Sequence, residues 1–318
     1  MELLELSEAQ RRQYIDAEAV FTALEAALKD AQQVRGSMFW REGNNIRYLI
    51  RMSPAGAQTS LGPESPENRA LYEKFMARKA IVEARVKSMR DSLKEQYRLN
   101  RALRVGRTPS IVVDALAALA GAGQGEHFLV VGTHAIYAYE TACGVRVPSG
   151  ATATQDIDFL FDTRKKVSFF TQMKRLDSSL LDVLRKADKT FMLRPGQLYT
   201  AVNDKGFEVD IIRRVARGEA PHPLRMSDVE DDFWAVQFAT GEGLVSARRF
   251  DQVVVATSGA MARMNTVHPL DFSRVKRALA AKPDRDPLKK AKDLMQAKLV
   301  AELVENFLPH LATSSGIA

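Results

Sequence analysis

The stretch Thr154-Gln155-Asp156-Ile157-Asp158-Phe159-Leu160-Phe161-Asp162 decides the fold. Its apolar run reads as a buried strand, and strand side chains alternate between faces with a period of two. Asp156 and Asp158 therefore share one face, while Ile157 and Phe159 point to the other. Two neighbouring carboxylates repel unless a shared proton, an arginine or a divalent metal lies between them. A metal is the expectation here.

Working outward, His127-Phe128-Leu129-Val130-Val131-Gly132-Thr133-His134 is an apolar strand that runs into Gly-Thr and then into a helical pattern. Such a turn lets backbone approach a phosphate, with helix N-terminal N–H groups and a Thr hydroxyl as donors. Downstream, Gln197 to Val202, the turn Asn203-Asp204-Lys205-Gly206 and the strand Phe207-Glu208-Val209-Asp210-Ile211-Ile212-Arg213 read as a hairpin that carries a third aspartate. Glu208 shares the face of Asp210, as a fourth acidic ligand or as a solvated edge residue.

In that order, the Gly-Thr turn, the Asp-apolar-Asp pair and the later strand Asp resemble the nucleotidyltransferase fold of the DNA polymerase beta superfamily. The likeness is greatest to the prokaryotic branch that includes the nucleotidyltransferase toxins of abortive-infection systems. The matching core runs from about Phe128 to Arg213. A weaker match continues through His268-Pro269-Leu270-Asp271-Phe272, Lys276 and Lys290-Ala291-Lys292-Asp293-Leu294, similar to late helical Lys and Lys-Asp motifs. The resemblance implies a small palm sheet with flanking helices, and NMP transfer from an NTP to an acceptor.

It further implies that Asp156, Asp158 and Asp210 hold two magnesium ions and that Gly132 and Thr133 cradle the nucleotide phosphates. Lys276 or Lys292 would neutralise triphosphate charge, with Asp293 orienting that lysine or contacting the base. Hard oxygen ligands suit magnesium, which takes a few carboxylates plus substrate phosphate. The chain departs from the pattern at Thr133, where Gly or Ser is commoner, and in its long gap from Gly132 to Asp156. That gap contains Thr141 to Gly150, read as a loop over the active site. The bland reading of Lys276, Lys289, Lys290 and Lys292 is that they form polar helix faces. The five histidines, His127, His134, His222, His268 and His310, show no metal-ligand spacing and read as structural or surface residues.

The 318 residues, 46% hydrophobic and 27% charged, suffice for two domains and a substantial core. One cysteine, Cys143, excludes an internal disulfide and fits a reducing, cytoplasmic setting. The acidic start Met1-Glu2-Leu3-Leu4-Glu5 lacks a basic leader, and no apolar run reaches membrane-span length, so no membrane contact is expected. The formal charge of +7 is uneven: residues 69–107 hold twelve Lys or Arg against four acids. This basic helix, about residues 67–100, carries an apolar stripe of Leu71, Phe75, Val82, Val86, Met89 and Leu93. Lys87, Arg90, Lys94, Arg98 and Arg101 fan out elsewhere on it, either to contact nucleic acid or as a solvated face.

Upstream, Ser7 caps a helix over about Glu8 to Val34, with Phe21, Leu24 and Leu28 on its apolar face. Residues 37–61 read as a small β-meander. It resembles somewhat the three-stranded DNA-binding arm modules of phage-type integrases, with Trp40, Arg41, Arg47, Tyr48 and Arg51 as a platform, but a plain meander packed on the basic helix is the preferred reading. Ser65 and Pro66 suit N-cap and N1.

The expected architecture is mixed α/β (α+β). A helical N-terminal region spans 1–105, a polymerase-beta-like palm 106–260 and C-terminal helices that close the nucleotide cleft 261–310, followed by a disordered tail at 311–318. Within 106–260, Val245 to Arg248 and Gln252 to Thr257 are expected as strands. The expected partners are an NTP, nucleic acid (RNA, above all the tRNA 3′ end) and, for a toxin, an antitoxin protein. The alternatives are a protein hydroxyl or small-molecule acceptor, or a noncatalytic nucleic-acid-binding protein with the same fold.

Overall fold

A computed structural model describes residues 3–43, 45–213, 222–237 and 247–313. The chain forms two compact units, one of Arg12–Leu103 and the other of Met1–Arg11 with Arg104–Ala318. No described helix is long and apolar enough to cross a membrane.

In chain order the elements begin with β1 (Leu4–Glu5), α1 (Glu8–Gln33), the meander β2 (Ser37–Gly43), β3 (Ile46–Met52) and β4 (Gln58–Pro63), and the long α2 (Pro66–Ala102). The smaller unit is built from the last five. Ser65 starts α2 as its cap, its side chain accepting from Asn68 N–H with Pro66 in the first turn, where a missing N–H costs nothing. The meander packs on α2 through Trp40 against Tyr72, rings 5.9 Å apart, and Arg51 over Phe75 at 4.3 Å. Arg47 is bound to Glu64, which also receives Arg69. The apolar stripe of α2 is narrower than the sequence suggests: Val86 and Leu93 are buried, but Leu71 is 44% exposed. Its second anchor is polar, Gln13 donating to Asn100 at 3.1 Å in a buried contact.

The larger unit continues with α3 (Ser110–Gly121), β5 (Phe128–Val131), α4 (Ile136–Cys143), β6 (Val145–Arg146), α5 (Ser149–Thr152), β7 (Asp156–Phe161), α6 (Lys166–Leu176) and α7 (Leu180–Arg185). Then follow β8 (Met192–Arg194), β9 (Gln197–Val202), β10 (Glu208–Arg213), β11 (Leu224–Arg225), β12 (Trp234–Gln237), β13 (Arg249–Val255) and β14 (Met261–Val267). The chain closes with α8 (Pro269–Ala280), α9 (Pro287–Phe307) and α10 (Pro309–Thr313). The main sheet has the order β11-β12-β10-β7-β5-β14-β13, with β9 beside β10 and β8 beside β9. The fold is mixed α+β, as the sequence indicates.

Period-two alternation sorts the sheet residues between two helical layers. Val130, Ile157, Phe159, Val209 and Ile211 face α3, α6 and α7. Leu129, Val131, Leu160, Ile212 and Val267 face α4, α8 and α9 through Tyr139, Phe272, Leu299 and Leu303. Asp156, Asp158 and Asp210 belong by parity to this second face, so α8 and α9 form the layer nearest the carboxylates.

Three expectations are corrected. Met261–Val267 is strand β14, paired in register with β13 and touching β5, so helical structure begins only at Pro269. Residues 141–150 are no loop over the site. They finish α4, turn at the left-handed Gly144 and pair as β6 with β1, held by Glu140, which accepts from Val147 N–H at 2.8 Å and from Arg107. Residues 311–313 are helical in α10, while the rest of the expected tail, 314–318, lies outside the described residues. Of the strand expected at Val245 to Arg248, Val245 and Ser246 also lie outside them, and the strand expected at Gln252 to Thr257 is β13.

Candidate active site

Parallel pairing of β7 with β10 aligns Glu208 with Asp156, Val209 with Ile157 and Asp210 with Asp158. On the other side of β7, antiparallel β5 sets Val131 opposite Asp158, so Gly132 leaves the sheet beside that carboxylate. Adjacent strands lie ~4.8 Å apart, which gathers Asp156, Asp158 and Asp210 at one end of one sheet face. Gly132 has φ +69° and a Cβ there would overlap Asp158 Oδ2. Glycine is required twice over, by its left-handed backbone and by the space Asp158 occupies.

The three aspartates differ in their support. Asp156 accepts from the Thr154 hydroxyl, and its backbone carbonyl binds His134 Nδ1 at 2.9 Å. Asp210 accepts from Thr200 Oγ1 at 2.5 Å, Thr200 being its register partner on β9. Asp158 is half-buried, and no hydrogen bond or ion pair among the described residues reaches its carboxylate. Burial first, then repulsion from Asp156 and Asp210, push its pKa up to about 7, against the attraction of Lys276 and Lys289. Asp210 is raised too, by burial and by Asp156, with the Thr200 bond opposing. The fourth acid, Glu208, is neither a free ligand nor a solvated residue: it is half-buried and paired with Arg194.

Facing the carboxylates is a cationic group from α8, α9 and the connection between them. Lys276 and Asp293 form a buried pair at 2.8 Å, and Arg285 reaches the other oxygen of Asp293 at 2.7 Å. Asp293 thus orients Lys276. Lys292 donates instead to the Ala153 carbonyl at 2.7 Å; burial and the nearness of Lys276 lower its pKa, while Asp156 and Asp293 oppose. Asp293→Ala leaves Lys276 buried without its counterion, and about 3 kcal/mol of stability should be lost, read as a lower melting temperature of the larger unit. Retention of the wild-type melting temperature would show that solvent already compensates Lys276.

The turn after β5 is built in. Thr133 and His134 are 9% and 1% exposed; Gln296 of α9 donates from Nε2 to Thr133 Oγ1 at 3.1 Å and to the Ala151 carbonyl at 2.7 Å. Burial pushes the His134 pKa down to about 4, so the ring is neutral near pH 7. Sequence reasoning missed Thr154, Thr200, Arg285 and Gln296. A glutamine inside a helix reads as surface, and a strand threonine as ordinary β-propensity. Lys87, Arg90, Lys94, Arg98 and Arg101 of α2 belong to the other unit, and all five are exposed.

The residues gathered here fit a divalent cation in one respect: they are hard oxygen donors, and one of them, Asp158, is an unanswered carboxylate. Among the described residues no group of three or more His, Cys, Asp or Glu is arranged as a ready-made metal cage. Magnesium does not require one, since it completes its shell with water and substrate phosphate. A charge-neutralising, oxygen-rich end of a sheet opposite a lysine cluster is chemistry for handling a polyphosphate.

Comparison with known proteins agrees. A family model described as Nucleotidyltransferase matches residues 110–315, and the chain belongs to that family. It is accordingly an enzyme of the nucleotidyl-transferring class, with an NTP as substrate. Comparisons with curated proteins and with solved structures gave no match.

Proposed function

We propose that this protein is a magnesium-dependent nucleotidyltransferase that moves NMP from an NTP to RNA, with the tRNA 3′ end as acceptor. The observation that carries the reading is the register of Asp158 against Asp210 on parallel strands, with Asp158 left unpartnered. Asp156, Asp158 and Asp210 would hold two magnesium ions, which supply charge neutralisation for transfer of an anionic phosphoryl group between two oxygens. Gly132 lets the Asp158 carboxylate lie against the turn, and Thr133 offers a hydroxyl to the phosphates. Lys276, held by Asp293, with Lys289 and Lys292, offsets triphosphate charge. Thr200 fixes one oxygen of Asp210 and leaves the other for the reaction.

The acceptor is inferred from charge. Lys87, Arg90, Lys94, Arg98 and Arg101 fall at helical spacing along one side of α2, and such a row suits a phosphate backbone. The family resemblance adds a toxin role in the bacterial cytoplasm, countered by an antitoxin protein.

The test is incubation with magnesium, each α-³²P-labelled NTP in turn and total tRNA. Label that is RNase-sensitive, protease-resistant and absent with Asp158→Asn is the expected result. Protease-sensitive label would move the acceptor to a protein hydroxyl, and label in neither fraction would contradict an RNA acceptor.

A further inference from the structure

The hydrogen bonds around Thr133 show a polarity that the proposed chemistry can use. Gln296 is fully buried. Of its two amide ends, only the NH₂ can face the Ala151 carbonyl, because a carbonyl oxygen only accepts. The 2.7 Å contact therefore settles which end of the amide is which. The same Nε2 lies 3.1 Å from Thr133 Oγ1, so that oxygen is accepting from Gln296. A hydroxyl that accepts on its lone pair still has one proton to give. No described group takes the Thr133 proton, although Thr133 is 9% exposed and stands in the turn beside Asp158. Buried donors do not stay unanswered without cost. Gln296 Oε1 is likewise buried with no partner.

We infer that Gln296 is a positioning residue for nucleotide binding: its Nε2 occupies the lone pair of Thr133 and so commits the Thr133 hydroxyl to donate to a non-bridging phosphate oxygen of the NTP. This rests on the proposed reading of Thr133 as part of the phosphate cradle. A threonine free to rotate offers a phosphate either its proton or its lone pairs, and the lone pairs repel an anion. Fixing the hydroxyl in advance removes the wrong orientation before the ligand arrives, which is preorganisation in its usual sense. The device runs from the middle of α9 to the turn after β5, two elements 163 residues apart in the chain.

A purely structural role is the competing account, because Gln296 also ties α9 to α5. The double-variant cycle with Thr133→Val separates the two. Gln296→Glu gives the largest change, because its carboxylate can only accept and would draw the Thr133 proton toward itself and reverse the hydroxyl. Binding of each magnesium NTP, and of magnesium tripolyphosphate as a probe lacking a base, is measured by calorimetry on the full chain. Wild type, Gln296→Glu, Gln296→Met, Thr133→Val and the two double variants are compared, with melting temperatures as the control for folding.

The expected result is that Gln296→Glu weakens both probes by about tenfold or more and Gln296→Met by less. In the Thr133→Val background Gln296→Met weakens binding no further, since the hydroxyl through which it acts is gone, and Gln296→Glu retains only the part of its loss that its added charge causes. A Gln296→Met loss that multiplies with that of Thr133→Val, or a Gln296→Glu protein that binds like wild type, would overturn the inference while leaving the nucleotidyltransferase reading intact. Failure of wild type to bind any NTP or tripolyphosphate would overturn both. Should Gln296→Glu fail to fold, the Gln296→Met cycle with Thr133→Val decides by the same criterion.

Discussion

Asp158→Asn, and separately Asp210→Asn, should lower the rate of nucleotidyl transfer by about a thousandfold or more while leaving the fold intact. A thousandfold corresponds to about 4 kcal/mol of transition-state stabilisation, the scale of losing one preorganised electrostatic group. Asp158 is the more sensitive position because it lies between Asp156 on its own strand and Asp210 across the ladder. Asparagine keeps the shape and removes the charge. Folding is spared because neither charge is paired with a cation in a contact that the fold depends on; Asp210 receives only the Thr200 hydroxyl. Single-turnover rates with labelled NTP, together with circular dichroism, check this. A variant with more than a tenth of wild-type activity would place the chemistry elsewhere.

Without divalent cation, the second large effect has the opposite sign. Asp158→Asn should melt about 5 °C above wild type at pH 8. The Asp158 carboxyl has a folded-state pKa of about 7 against an ordinary unfolded value of about 4. Between those values the folded state holds a proton that the unfolded state has lost, so stability falls as pH rises across this window and levels off above it. Three units set an upper limit of about 4 kcal/mol; for a half-buried carboxyl about 2 kcal/mol is the more realistic size, worth several degrees in a chain of this length. Asp210 is raised in the same direction and steepens the decline. At pH 4 the difference between wild type and variant should vanish. Magnesium should raise the melting temperature of wild type more than that of the variant. A variant that melts below wild type at pH 8 in chelator would mean that the Asp158 charge stabilises the fold.

Much of this site was legible in the sequence because alternation is a strict rule. Asp-Ile-Asp inside an apolar run fixes two carboxylates on one face, whatever the partners of the strand are. The hairpin carrying Asp210 was equally plain, from Asn203-Asp204-Lys205-Gly206 between two apolar runs, and the structure pairs Val202 with Glu208 across it. What alternation cannot supply is register between strands distant in the chain, and the alignment of Asp210 with Asp158 rather than with Asp156 is a property of packing. The same limit hid β14, whose seven residues fall in the expected C-terminal helical region: their strand pairing depends on β13 and β5 lying beside them. The segment 141–150 misled because Gly144, Pro148 and Gly150 suggest a loop over the site. Glu140, buried with Arg107 and the Val147 N–H, holds it down. Gln296 had no signal at all, since its role depends on two oxygens more than 140 residues away.

Divalent-cation binding by the three sheet-borne aspartates is the part of the proposed mechanism most directly open to measurement. Manganese is a paramagnetic stand-in for magnesium with the same preference for oxygen ligands, and its binding can be followed by electron paramagnetic resonance without turnover. Titrated in the presence of tripolyphosphate, wild type should sequester manganese at a site lost in Asp156→Asn, Asp158→Asn and Asp210→Asn alike. Manganese bound equally by wild type and all three variants would contradict the assignment of these carboxylates.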